Sequence, residues 1–290
     1  MDVRKAVIPA AGLGTRQLPT SKAVPKELLP LIDRPMLHYI VDEALDAGVS
    51  QLVIVTSQGK DAMANYFDPA PRIEELLERR GETALAGAMR RTREEAEFIF
   101  VRQHQQLGLG HAVYTARHAV GDEAFAVMLP DDVIAGGEGP AIGELLETAT
   151  AHGASVIAVE QVPPERISSY GVVAPGESDG DAIRVLGMVE KPPAAEAPSD
   201  LGIVGRYVLT PEVFGAMERV TPGAGGELQL TDGIALLLEE QPVYARRFTG
   251  TRYDAGNPMG MLRASVSLAL RRPDTGPAFR AWLRAELEEV

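Results

Sequence analysis

Residues 7–30 read VIPAAGLGTRQLPTSKAVPKELLP, an apolar run that breaks into glycines and then carries Arg16, Lys22, Lys26 and Glu27. Glycines after a strand let backbone N–H groups approach a phosphate, because no Cβ stands in the way. They serve a tight turn equally well. The cations that follow speak for an anion: the Arg16 guanidinium can bridge two phosphate oxygens, and Lys26 supplies a compact point charge. The stretch is not a dinucleotide fingerprint, since no third glycine follows Gly12 and Gly14, and the chain holds no GxxxxGK[ST] loop. Further along, LPDD (129–132) ends an apolar run and YDAGNP places Asp254 at the end of another. A lone Asp at such a place caps a turn. Two carboxylates together suit magnesium, which takes few protein oxygens and leaves the rest of its octahedron to water and phosphate. Glu190-Lys191-Pro192 closes a third apolar run, where an exposed ion pair is the ordinary state of adjacent charges.

Composition narrows the possibilities. The chain has 290 residues, 45% hydrophobic and 24% charged, which is ordinary for a soluble globular protein. It has no cysteine, which excludes disulfides, thiolate metal sites and thiol nucleophiles. The five histidines show no metal spacing, and no GxSxG elbow occurs. A formal charge of −13 excludes a general nucleic-acid or anionic-membrane binder, so an anionic ligand needs local neutralisation. Residues 1–35 provide it, with Arg4, Lys5, Arg16, Lys22, Lys26 and Arg34 against only Asp2, Glu27 and Asp33. The N-terminal apolar stretch is too short for a signal peptide, and no run approaches the roughly 18 apolar residues of a membrane span. A cytoplasmic protein is expected.

The elements that must position these residues alternate. Residues 4–10 read as a buried strand, 35–47 as a helix with Pro35 in its first turn and Gly48 beyond its end, and 51–56 as a second strand. Together they form a right-handed βαβ unit. Residues 60–96 read as a charged helical insertion on the sheet's rim. Strands are expected at 98–103 and 125–130, with a helix from Gly110 between them. Strands at 154–162, 170–175, 183–192 and 201–210 follow with short turns, predicting mixed or antiparallel pairing in this half. Helices near 231–240 and 258–270, a strand around 243–248 and an amphipathic tail complete the chain. Thr231 or Asp232 reads as the N-cap of the first of these helices. No internal repeat, and in particular no hexapeptide repeat of a β-helix, is present.

AGLGTR followed by PKELLP resembles the signature of the sugar-1-phosphate nucleotidylyltransferases. VRQHQQLGLGHAV, LPDD, SYGVV, VEKP, VGRYVL, GAGGELQLTD and YDAGNP match in the same order over nearly the whole chain. PKE, the charged insertion and IVGRYVL with GAGGELQLTD are most similar to the uridylyl-transferring branch. The resemblance implies an α/β, Rossmann-like nucleotidyltransferase fold with a mixed, mostly parallel central sheet flanked by helices and a smaller β-rich sugar-binding part. It implies one domain over 1–290: about 1–135 for the nucleotide, about 136–257 for the sugar phosphate, and C-terminal helices over 258–290. It implies UTP and glucose 1-phosphate as substrates, UDP-glucose and pyrophosphate as products, Mg²⁺ as cofactor and a homodimer or homotetramer.

Residue by residue, the resemblance gives Arg16, Lys26 and Lys191 to catalysis and Asp131 and Asp254 to the metal. It gives Ala11, Gly12, Gly14, Thr15, Glu27, Gln103 and Gly108 to the nucleotide, Gln103 reading uracil and Gly108 admitting its ring. Tyr170, Gly171, Glu190, Lys191 and Val204 fall to the sugar phosphate; a carboxylate such as Glu190 is a pure acceptor, suited to sugar hydroxyls. Read locally, Gln103 is better taken as a solvated strand end, Val204 has packing as its strong alternative, and His104 and His111, near the proposed base site, are more simply loop polarity. Lys22 and Asp132 receive no role. A thymidylyltransferase, or another sugar's enzyme, keeps the reaction and changes the substrates; a non-catalytic nucleotide-sugar sensor would use the same fold without needing every charge.

Overall fold

The computed structural model describes residues 1–223 and 226–289; Ala224 and Gly225 of the GAGGELQLTD motif, and Val290 of the tail, lie outside the described residues. The strands are β1 (Lys5–Pro9), β2 (Pro30–Leu31), β3 (Arg34–Pro35), β4 (Gln51–Thr56), β5 (Glu97–Arg102), β6 (Phe125–Met128) and β7 (Asp132–Ala135). They continue as β8 (Ser155–Gln161), β9 (Gly171–Asp179), β10 (Ala182–Glu190), β11 (Leu201–Leu209), β12 (Val243–Arg247) and β13 (Thr251–Asp254). The helices are α1 (Met36–Asp46), α2 (Ala62–Phe67), α3 (Pro71–Arg79), α4 (Thr83–Glu95), α5 (Leu109–Thr115) and α6 (Arg117–Val120). After them come α7 (Ala141–His152), α8 (Val213–Arg219), α9 (Leu230–Leu237), α10 (Pro258–Arg271) and α11 (Gly276–Glu289). No helix among the described residues is long and apolar enough to cross a membrane.

Nine strands form one sheet in the order β5-β4-β1-β6-β11-β8-β12-β10-β9. Continuous apolar runs make its first strands, and alternation sends their side chains to opposite faces. Val7, Val53 and Val55 enter one core cluster with α5, α8 and α9, whereas Ala6, Ile8, Leu52 and Ile54 enter another with α1, α2 and α7. The sheet is mixed, as expected, but parallel pairing is confined to β5-β4-β1-β6 and to β8 with β12. β11 runs antiparallel to β6, β8 and β9, and the β9–β10 hairpin closes the far edge. Chain direction thus reverses beside β6, and β1 has β4 on one side and β6 on the other. In an open α/β sheet, that switch point leaves a crevice at the carboxyl ends of the strands.

Several expectations change. Pro35 precedes α1 and does not belong to its first turn. LPDD does not finish a strand: β6 stops at Met128, and Asp132 opens β7, which pairs antiparallel with β13. This short ladder, α7 and α8 have no counterpart in the sequence reading. The insertion is helical as expected, as α2, α3 and α4. The tail forms α11 against α10, with Trp282 stacked on Phe279 and still 53% exposed. α9 begins directly after Gln229, without a side-chain cap, so neither Thr231 nor Asp232 is the N-cap.

One buried charge organises the centre. Arg206 on β11 is 0% exposed. Its guanidinium donates to both Glu43 carboxylate oxygens, at 3.0 and 2.7 Å, and to the carbonyls of Leu129 (3.2 Å), Gly205 (3.1 Å) and Asp132 (2.7 Å). The Glu43 carboxylate also accepts from the Ile142 N–H at 3.1 Å, so α1, α7, β11 and the turn after β6 meet at one ion pair. A buried pair costs most when one partner is removed. Glu43→Ala is expected to cost about 3 kcal/mol in urea denaturation, and Glu43→Leu combined with Arg206→Met to cost less than that single change.

Candidate active site

The loop after β1 folds on itself in two steps. Gly14 takes a left-handed conformation (φ 68°), and its carbonyl accepts from the Gln17 N–H at 2.9 Å and the Ser21 hydroxyl at 2.8 Å. A Cβ at Gly14 would lie 3.3 Å from the Lys26 Cβ, so the glycine lets the loop close over Lys26. Gln17 then ties the loop to the far side of the site, donating at 3.0 Å to the carbonyl of Ala255. Gly12 and Thr15 stay exposed on this loop, Ala11 is buried beneath it, and Lys22 is exposed.

Asp131, in the turn between β6 and β7, receives the cations. Its Oδ2 accepts from Lys26 Nζ at 2.7 Å and from Arg16 Nη2 at 3.4 Å. Arg16 Nη1 stands 3.5 Å from Asp254 Oδ2. Burial alone raises the Asp131 carboxyl, but Lys26 and Arg16 outweigh it and hold it below the usual carboxylate range. Burial likewise pulls Lys26 down, and Asp131 more than restores it. Both groups are ionised near neutral pH. The β7–β13 ladder places Asp254 opposite Asp132, and the Ala255 N–H donates to the Asp131 carbonyl at 2.8 Å. Gly256 keeps the space between them open: a Cβ there would lie 2.5 Å from Asp131 Oδ2 and 3.0 Å from Asp254 Oδ1. No cluster of three or more metal-ligating side chains exists among the described residues. Two carboxylates facing one gap fit an ion that draws its other ligands from substrate and water.

Asp132 has a role of its own. Its Oδ2 accepts from the Gly205 N–H at 2.8 Å and its Oδ1 from Arg252 Nε at 2.7 Å. Arg252 also reaches Glu160 Oε1 at 2.8 Å and the Tyr170 hydroxyl at 3.1 Å. The pair locks β7 to β13 and fixes the spacing between Asp131 and Asp254. Arg252 was legible only by its position two residues before Asp254, on the same face of that strand.

Across a cleft of about 550 Å³, these groups face the end of β10. Arg16, Asp131, Asp254, Tyr170, Gly171, Glu190, Lys191 and Val204 all line it. Lys191 leaves the strand with φ 47°, a conformation uncommon for a residue with a side chain, and its Nζ lies 3.0 Å from Glu190 Oε1. The ion pair and the cleft position therefore coexist. Thr231 Oγ1 donates to Glu190 Oε2 at 2.8 Å. Gly171 makes room for that contact, since its Cβ would lie 3.0 Å from Thr231 Oγ1 and 3.1 Å from Glu190 Oε2. Tyr170 is buried and accepts from Arg166 at 2.8 Å. Val204 forms part of the cleft floor, with its side chain packed in the core.

Three expected residues differ from their anticipated setting. Glu27 is 1% exposed, and both its oxygens accept from Lys60 Nζ at 2.9 Å, leaving it turned into the protein. Lys60 also donates to the Ala10 carbonyl at 2.6 Å; burial raises Glu27 and lowers Lys60, each held back by the other. This lysine follows β4 at the sheet's carboxyl edge, the one sequence signal that marked it. A Cβ at Gly108 would lie 2.7 Å from the Leu228 carbonyl, so the missing side chain here serves close backbone packing. Gln103 is no solvated strand end but 3% exposed, its amide nitrogen 2.8 Å from His111 Nδ1.

Residues 5–270 match the family described as Nucleotidyl transferase. A UTP–glucose-1-phosphate uridylyltransferase of Bacillus subtilis is 45% identical over 269 residues, covering 93% of this chain and 92% of the relative. A solved UTP-bound UGPase from Acinetobacter baumannii superposes with a TM-score of 0.89 at 40% identity, over 97% of this chain and 99% of its own. A UDP-glucose pyrophosphorylase solved with UDP-glucose gives a TM-score of 0.85 at 36% identity, over 93% and 100%. The geometry makes a direct prediction. Gly256→Ala, whose methyl group would lie 2.5 Å from Asp131 Oδ2 and 2.7 Å from Arg16 Nη2, is expected to displace those side chains and to raise the divalent-ion concentration needed for half-maximal activity at least tenfold.

Proposed function

The chain belongs to the nucleotidyl transferase family, and from that membership we propose that it transfers UMP from UTP to α-D-glucose 1-phosphate, yielding UDP-glucose and pyrophosphate. The observation that carries this reading is one cleft bounded on one wall by Arg16, Asp131 and Asp254 and on another by Glu190 and Lys191. A triphosphate and a sugar phosphate need such opposed walls. The sugar phosphate is already an anion at neutral pH, so it attacks the α-phosphorus directly, in line, with pyrophosphate leaving. Neither a general base nor a covalent enzyme intermediate is required.

The difficulty is repulsion between two polyanions, and catalysis consists chiefly of positioning and charge neutralisation. Arg16 and Lys26 neutralise the triphosphate. Lys191, at its fixed strand end, guides the attacking phosphate, and Glu190 accepts from the sugar hydroxyls. Asp131 and Asp254 would hold Mg²⁺, which would supply Lewis-acid neutralisation of phosphate oxygens. Residues up to about 135 serve the nucleotide and about 136–257 the sugar phosphate, with Ala11, Gly12 and Gln103 at the base. Glu27 acts from within, holding the turn that carries Lys26 through its bond to Lys60.

A panel of UTP, dTTP and CTP against glucose 1-phosphate and its epimers, read by pyrophosphate release, is expected to give the highest kcat/KM for UTP with glucose 1-phosphate. Lys191→Ala is expected to raise the KM for glucose 1-phosphate by ~10–100-fold, the worth of a charge-assisted hydrogen bond, and that for UTP far less. Equal effects on both substrates would remove Lys191 from the sugar-phosphate side. Asp131→Asn should shift the Mg²⁺ titration of activity to higher concentration; a wild-type titration would take Asp131 out of the metal site.

A further inference from the structure

We propose that His111 decides which pyrimidine the site accepts, by holding the Gln103 carboxamide in the one orientation that complements uracil and opposes cytosine. The inference rests on the reading above, in which Gln103 faces the base. Gln103 stands just beyond β5, at the carboxyl edge of the sheet, and its backbone N–H donates to the Thr56 carbonyl at 2.8 Å, so its main chain is fixed. Its side-chain amide nitrogen lies 2.8 Å from His111 Nδ1 on α5. An amide nitrogen can only donate, so Nδ1 must accept and the imidazole proton sits on Nε2. Burial lowers His111 from its ordinary value, more than the Gln105 backbone raises it, which favours the neutral ring this bond requires.

His111 is itself held in place. The Gly110 N–H donates to the Leu228 carbonyl at 2.9 Å, and the Leu228 N–H to the Leu107 carbonyl at 2.7 Å, clamping the start of α5. Thr115 Oγ1 donates to the His111 carbonyl at 2.7 Å. With one N–H committed, Gln103 keeps a second N–H and its oxygen for a ligand; among the described residues that oxygen has no hydrogen-bond partner.

Uracil presents an N3–H donor beside carbonyl acceptors, whereas cytosine presents an N3 acceptor beside an amino donor. A glutamine free to rotate by half a turn fits either edge. A glutamine held one way round fits one edge and sets donor against donor, or acceptor against acceptor, at the other. Sites built on such polar complementarity discriminate far more sharply than apolar pockets. Discrimination thus resides in the clamp as much as in Gln103, and His111 is a positioning residue.

The test measures the ratio of kcat/KM for UTP to that for CTP with glucose 1-phosphate. His111→Phe keeps the ring and removes the acceptor, and is expected to lower the ratio about tenfold or more, the effect of some 1.4 kcal/mol. His111→Asp, an acceptor only, is expected to keep the ratio within about threefold of wild type even where both rates fall. A merely structural role would lower both rates in both variants without moving the ratio. If His111→Phe does not fold, His111→Ala reads the same quantity. An unchanged ratio in the variant without an acceptor overturns the inference, as does wild-type protein that makes UDP-glucose without preferring UTP to CTP. If wild-type protein releases pyrophosphate from neither triphosphate, the functional reading fails, and the ratio of UDP to CDP affinities by calorimetry in the same variants decides the inference alone.

Discussion

A carboxylate taken out of water must be paired, and Asp131 meets that demand with two cations from a single loop. The rest of the site follows from this. Lys26 reaches Asp131 because Gly14 lets the loop close over it, and because the buried Glu27–Lys60 pair fixes the next turn of chain. Arg16 spans Asp131 and Asp254 because Gln17 ties the loop to Ala255. A glycine, two buried ion pairs and one amide contact thus set the positions of the charges on this wall of the cleft.

The supports are layered from the sheet outward. Arg206, wholly buried on the strand that reverses the sheet, donates to the carbonyls that flank Asp131 in the chain. Asp132 and Arg252 then cross-link β7 to β13, and with them the two acidic residues. Charge buried in this way adds little to stability, since desolvation offsets most of what pairing returns. What it provides is position, and a site whose work is neutralising phosphate needs its groups within fractions of an ångström.

Much of this was legible in the sequence. The apolar runs of β1, β4 and β6 announce a doubly covered sheet, and the short-turned strands after residue 154 announce a change of pairing. Arg16, Asp131, Asp254, Glu190 and Lys191 do converge on one cleft. Whatever depends on long-range pairing was hidden. Nothing local to Lys60, Arg206 or Arg252 names its partner, because Glu27, Glu43 and Asp132 lie far away along the chain. Gly108 carried a true signal, the need for a missing Cβ, but the neighbour that requires it is the Leu228 carbonyl, which a sequence does not place. β7, four residues long with a partner more than a hundred positions away, offered no periodicity to read. α7 and α8 do carry apolar positions at helical spacing, Ile142, Leu145 and Ala149 in the one and Val213, Phe214 and Met217 in the other, but each is short and small residues interrupt the run.

The pairing of Arg16 and Lys26 with acidic residues has one more consequence. A phosphate that approaches Lys26 must compete with Asp131 for it, and one that approaches Arg16 must compete with Asp131 and Asp254. A small anion gains one contact and strands a buried carboxylate, whereas a longer polyphosphate engages both cations together. The pairing thereby favours a ligand that engages Arg16 and Lys26 together over one that engages a single cation.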